Sequence, residues 1–208
     1  MRIYRILSCR TFFWTAIILG SLSIASGEQT KPPSSLVTNI EAADADQRVQ
    51  AERNKVPVRQ LYEEMFSKGR YELIGQAFAT RCPVHFGSRN VSLQQAVDEG
   101  KGWRSAAPDM VMTINQITVN GEMVTAVWTC RGTHTGNGHG LKPTGRRILL
   151  NGKSQFRVVN GKIVEAWNEE YRPELFRQLG VSKAAAFMYE TADEIWSLLP
   201  DRLYALLH

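Results

Sequence analysis

Cysteine is scarce in this chain of 208 residues: Cys9, Cys82 and Cys130 are all it has. So few cannot staple a small fold together, which excludes a disulfide scaffold. Two readings stand for Cys82 and Cys130. They pair if the compartment is oxidising and the geometry permits, or they are separate core thiols, as free cysteines commonly are; the second is the expectation. Long apolar runs are lacking as well. The most apolar stretch, residues 12–24 (FFWTAIILGSLSI), falls short of the ~20 residues that span a bilayer, so no stable membrane span is expected. Strong charge of one sign is also missing. The formal charge is +5, but Arg2, Arg5 and Arg10 supply three of it; beyond residue 27, 22 basic residues face 20 acidic ones, leaving +2. That balance offers no basic footprint and argues against nucleic acid as a partner.

Two chemical signatures are absent too. The glycine-rich stretch 135–145 (TGNGHGLKPTG) has no following Lys-Ser/Thr and no helix after it, so it is no phosphate cradle. His134 beside it and His139 within it have H-x4-H spacing across glycines without an acidic neighbour, which fits no standard zinc pattern. No metal and no cofactor are expected.

What is present begins with a leader. Three arginines, the apolar stretch and the small residues Ala25-Ser26-Gly27 have the order of a secretory signal peptide, so residues 1–27 are expected to be removed and the protein secreted or periplasmic. Residues 28–55 read as a Pro-Pro tether followed by a largely solvated helix from Thr38, with Glu41 at capping-box spacing. Pro57 suits the first turn of a second helix whose apolar face is Val58, Leu61, Tyr62, Met65 and Phe66, ended by Gly69. Residues 71–79 read as a short helix. Ser92 and Gln95 form a capping box for a third, and Asn90-Val91-Ser92 is also a glycosylation sequon that the cap explains equally well.

From Asp109 the period changes to two. Val111, Thr113, Asn115, Ile117 and Val119 alternate with Met110, Met112, Ile114 and Gln116, and Asn120-Gly121 signals a hairpin. Val124, Ala126, Trp128 and Cys130 share one face of the return strand. A third strand is expected over residues 146–159, with Gly152 marking a bulge. Asn160-Gly161 turns into a fourth, residues 162–170. Helices first and a hairpin-linked antiparallel sheet after them make an α+β domain. Residues 181–208 read as a helical extension, with Phe187, Met188, Ile195, Leu198 and Leu199 on one side.

The ordered set G132-T-H-T-G136, P143-T-G-R-R147, N160-G-K-I-V-E-A-W167 and Q178-L-G180 resembles the SnoaL-like polyketide cyclase family over residues 56–180. The resemblance implies a nuclear-transport-factor-2-like cone, a curved sheet capped by helices. True cyclases of that family use an Asp after the Trp of the last strand and a His on the neighbouring strand. Those positions here hold Asn168 and Ser154. An amide cannot serve as a general base, so the cyclase mechanism does not carry over unchanged.

With Asn168 toward the cavity, as the family position implies, strand parity turns Val164, Ala166 and Glu170 the same way and Glu165, Trp167 and Glu169 outward. Glu170 then becomes the candidate base, its pKa raised by an apolar cone, or else a rim carboxylate in water or in a salt bridge with Arg172. Asn168 is a candidate oxyanion donor. His85, at the entry to an edge strand, is a base or a hydrogen-bonded structural residue. Tyr62, Trp103, Trp128, His134 and Phe156 complete the expected ligand site, walls first and contacts second. The outer face around Arg157, Glu165 and Trp167 is expected to bury itself in a homodimer. Two functions stand: acid/base catalysis (cyclisation, isomerisation or hydrolysis) on a small carbonyl or ester compound, or non-catalytic binding of a small hydrophobic metabolite or a protein partner.

Overall fold

The computed structural model describes residues 34–169, 171–188 and 191. Helix α1 (Ser34–Arg59) runs without a break into a wider π-helical segment, Gln60–Phe66. The expected tether and two helices are therefore one rod over this span. Pro57 begins no new helix but lies buried inside α1. Its fixed φ is helical, so it costs the rod one hydrogen bond rather than the helix. Tertiary contacts hold the rod together. Residues 41–50 are exposed, as a solvated helix should be. Asn54, however, is buried, accepting from Gln50 Nε2 at 2.9 Å and donating to the Gly121 carbonyl at 3.0 Å. Val58, Leu61, Tyr62 and Met65 then bury the apolar face in the core.

A 3₁₀ turn, Tyr71–Leu73, leads into α2 (Ile74–Ala77), and β1 (Val84–Phe86) and β2 (Arg89–Val91) follow. Helix α3 (Leu93–Ala106) starts on the expected box: Ser92 Oγ accepts from the Gln95 amide at 3.3 Å, and Gln95 Oε1 accepts from the Ser92 amide at 2.8 Å. The strands β3 (Val111–Asn120), β4 (Met123–Thr133), β5 (Arg147–Val159) and β6 (Lys162–Asn168) complete a six-stranded sheet in the order β2-β1-β6-β5-β4-β3. All neighbours are antiparallel except β1 and β6, so the α+β sheet is mixed rather than wholly antiparallel.

Two bulges break the expected alternation. On β3 the register shifts at Asn115, so Met112 and Ile114 face the core before it and Ile117 and Val119 after it. On β6 the shift passes Val164, and Ile163, wholly buried, takes the inner place that parity assigned to Val164. A bulge adds one residue to one strand and flips parity beyond it. Gly152 is no bulge. It pairs in unbroken register with Trp128, and its missing Cβ leaves the space that the Trp128 indole fills. The two Asn-Gly pairs also differ. Asn160 and Gly161 both have positive φ and form the whole two-residue turn, whereas Asn120 ends β3 and Gly121-Glu122 make the turn. Cys82 and Cys130 are free and buried.

Helix α4 (Arg172–Leu179) was not foreseen, although Pro173 at its start and Gly180 as its left-handed cap signal it. Its Leu175, Phe176 and Leu179 are buried in the core. Residues 183–188 are helical, and Ser182 Oγ accepts from the Ala185 amide, as expected of a cap. Residues 1–33 and Ile195, Leu198 and Leu199 lie outside the described residues.

Candidate functional site

Between the helices and the concave side of the sheet lies a cavity of about 130 Å³. The sheet supplies its wall through inward positions of neighbouring strands: Trp128 and Cys130 on β4, Ser154 and Phe156 on β5, Ala166 and Asn168 on β6. Tyr62 and Met65 come from the π-helical turn, Gly100 and Trp103 from α3. Tyr62 packs against Trp128 and Phe156 with ring centroids 6.3 and 6.2 Å apart. Five residues expected at a ligand site, Tyr62, Trp103, Trp128, Phe156 and Asn168, thus line one cavity.

Polar atoms gather where β5 meets β6. Ser154 and Asn168 are direct register partners, and Ser154 Oγ accepts the Trp128 indole N–H at 3.0 Å. Ser154 also hydrogen-bonds the Tyr62 hydroxyl. Burial pushes that phenol's pKa well up and the Ser154 bond only partly offsets the rise, so Tyr62 stays protonated. Donors and acceptors are therefore present, but neither Ser154 nor Asn168 takes up and keeps a proton.

The described carboxylate of the lining is Glu99, one turn of α3 before Trp103. It was missed in the sequence, although its i,i+4 spacing to Trp103 placed it on the same helix face. Burial opposes its ionisation, but Arg172 at 2.9 Å and Arg89 at 3.3 Å hold its pKa below the usual carboxylate range. The Tyr171 hydroxyl adds a hydrogen bond at 3.1 Å. A carboxylate so compensated is a weakened base, held in place by its neighbours.

Two expected site residues lie elsewhere. His85 faces outward, because β1 pairs in parallel register with β6 and puts His85 beside Trp167. Its ring stacks on Trp167 at 5.5 Å and its Nε2 meets Glu165 at 3.0 Å. The neighbours Val84 and Phe86 take the cavity side. His134 is wholly buried but stands outside the cavity lining, with Nδ1 beside Thr144 Oγ1 at 3.1 Å. Its loop lies on α3: Gly136 and Gly138 sit against the Ser105 and Gly102 carbonyls, where a Cβ would not fit. Close approach to a helix explains these glycines without a phosphate or a metal. Glu170 lies outside the described residues.

The profile of the SnoaL-like polyketide cyclase family matches residues 56–179, more than half of the chain. The chain belongs to that family. Among solved structures, this SnoaL-like chain is similar to IdmH of Streptomyces antibioticus, a suggested polyketide cyclase, at 26% identity and TM-score 0.53 over 62% of this chain and 99% of the other. AclR of Streptomyces galilaeus, a suggested hydroxylase, matches at 24% identity and TM-score 0.56, covering 62% of this chain and 97% of that one. A suggested SnoaL-like polyketide cyclase of Jannaschia follows at 16% and TM-score 0.57, over 64% and 94%. No match is found among curated proteins. The fold and the small-molecule pocket are those of a SnoaL-like protein.

Proposed function

We propose that this SnoaL-like chain binds a compact, largely apolar molecule through a carbonyl oxygen set against Ser154, Asn168 and Tyr62, without turning it over. The observation that carries this reading is the Ser154–Asn168 pair, an alcohol and an amide side by side on the cavity wall. Glu99, tied to two arginines, supports it by being a weakened base. The cavity is close to the ~150 Å³ that holds a benzene ring in an engineered core, so the ligand is of single-ring size. The likenesses to a suggested cyclase and a suggested hydroxylase leave the reaction open, since one fold hosts many chemistries. The second reading is an acid/base enzyme with Glu170 as base. Sequence position favours it, since Glu170 is the carboxylate two residues after Asn168.

The two readings part on a single substitution. With small ketones as ligands, Glu170→Gln should bind as the wild type does by calorimetry, and neither protein should turn them over. Wild-type turnover that Glu170→Gln lowers by ~10²–10⁴-fold would establish the enzyme instead.

The leader makes this an exported protein in the same proposal. N-terminal sequencing of the mature protein should begin at or near Glu28, and a mature chain that retains Met1 would overturn export. A homodimer through the outer face around Trp167 completes the proposal.

A further inference from the structure

We infer that the α3 side of the cavity is a second hydrogen-bonding subsite, in which the Tyr71 hydroxyl and the Trp103 indole N–H take a neutral oxygen acceptor of the ligand. This rests on the pocket reading above and adds to it the class of ligand: a neutral molecule with an acceptor oxygen toward α3 as well as one toward β5 and β6.

Both side chains line the cavity, and neither the Tyr71 hydroxyl nor Trp103 Nε1 has a hydrogen-bond partner among the described residues. Trp103 is only 7% exposed, so bulk water does not serve its N–H. Buried donors nearly always find a partner, and one left unmet costs about 1–3 kcal/mol. The two groups belong to one region: a Cβ on Gly100 would stand 3.3 Å from the Tyr71 hydroxyl, and Trp103 follows Gly100 by one turn of α3.

Of the cavity's other polar groups, Ser154 and Glu99 are already engaged, and Asn168 stands beside Ser154 on β6. Ser154 holds Trp128 and Tyr62, and Glu99 holds Arg89, Arg172 and Tyr171. Phe66 and Tyr62 add only apolar surface on that side. An acceptor must therefore come with whatever fills the cavity. An indole N–H only donates. Burial raises the Tyr71 phenol to about 12, against a smaller lowering by Arg104, so it too remains a donor. The acceptor is neutral because a buried carboxylate or phosphate would need a paired charge, and Arg89 and Arg172 are already held by Glu99.

Cyclohexane-1,4-dione, cyclohexanone and cyclohexane test this on the full chain, since they share one shape and differ only in oxygen count. The dione should bind roughly three- to tenfold more tightly than cyclohexanone, the worth of one further hydrogen bond. Tyr71→Phe and Trp103→Phe should each remove that advantage, so that the dione and cyclohexanone bind alike. The Trp103 indole proton resonance, assigned by its loss in Trp103→Phe, should move on adding the dione and not on adding cyclohexane. Should Trp103→Phe fail to fold, Tyr71→Phe and the resonance still decide. A dione advantage that survives Tyr71→Phe, or an indole resonance that does not move, overturns the subsite and leaves a trapped water as the partner. Failure of all three compounds to bind would instead remove the pocket reading itself.

Discussion

On β6, Ala166 and Asn168 face the cavity while Glu165 and Trp167, one position away, face outward. The same division runs across the sheet. The inner face holds Trp128, Phe156 and a few polar atoms that converge at Ser154. The outer face is laced from side to side: Asn115 donates to Thr129 at 2.7 Å and Thr129 to Asn151 at 2.8 Å, while Glu165 meets both His85 and Arg157. Residue type misleads here. His85 has the chemistry of a base but stands on the face where polar groups satisfy one another, whereas the unassuming Ser154 stands at the centre of the cavity's polar cluster. Which side of the sheet a residue takes decides what it can do.

The largest test of that division removes one aromatic from each face. Phe156→Ala empties a site that is 1% exposed and should cost about 3–5 kcal/mol in urea unfolding. Trp167→Ala removes mainly the stack on His85 and should cost about 1 kcal/mol in the protomer. If the outer face joins two copies, sedimentation should also show Trp167→Ala as a monomer. Equal losses at both positions would erase the contrast between the faces.

Gly152→Ala sharpens the account of the inner face. A methyl there meets the Trp128 indole, and overpacking of this kind costs about 1–3 kcal/mol. Unfolding combined with tryptophan fluorescence should show both the loss and a displaced indole. A neutral substitution would mean that the ring is not seated on this glycine.

The smallest effect concerns pH and the buried histidine, His134. Burial holds the pKa of His134 below its ordinary value. The unfolded chain therefore takes up this proton first, near pH 6.5, and stability falls as pH drops below that value. Above it the group contributes no slope. Wild-type stability should fall more between pH 7.5 and 5.5 than that of His134→Gln; matching slopes would show that His134 charges freely in the fold.

Much of this was legible in the residues. The four long strands follow from the change of period at Asp109, and the start of α3 from the Ser92–Gln95 box. The ordered motifs carried the family, and the register of β5 on β6 sets Asn168 beside Ser154. Other features were not legible. A bulge is an extra residue relative to a partner strand, so the shifts at Asn115 and Val164 do not exist until the strands pair. Gly152 reads alike as a bulge or as a seat for a ring until Trp128 lies across from it. Helix α4 had its Pro and Gly signals but is only eight residues long, too short for its periodicity to declare itself.

Local chemistry is written residue by residue, and so the sequence alone determined the four long strands, the cap of α3, the apolar character of the core and the family. Facing and pairing are relations between distant segments. Only the tertiary structure decided that His85 leaves the site by lying parallel to β6. It also decided that Glu99 enters the lining already bound to Arg172, 73 residues away along the chain, because burying that carboxylate requires a charge which no neighbour in sequence supplies.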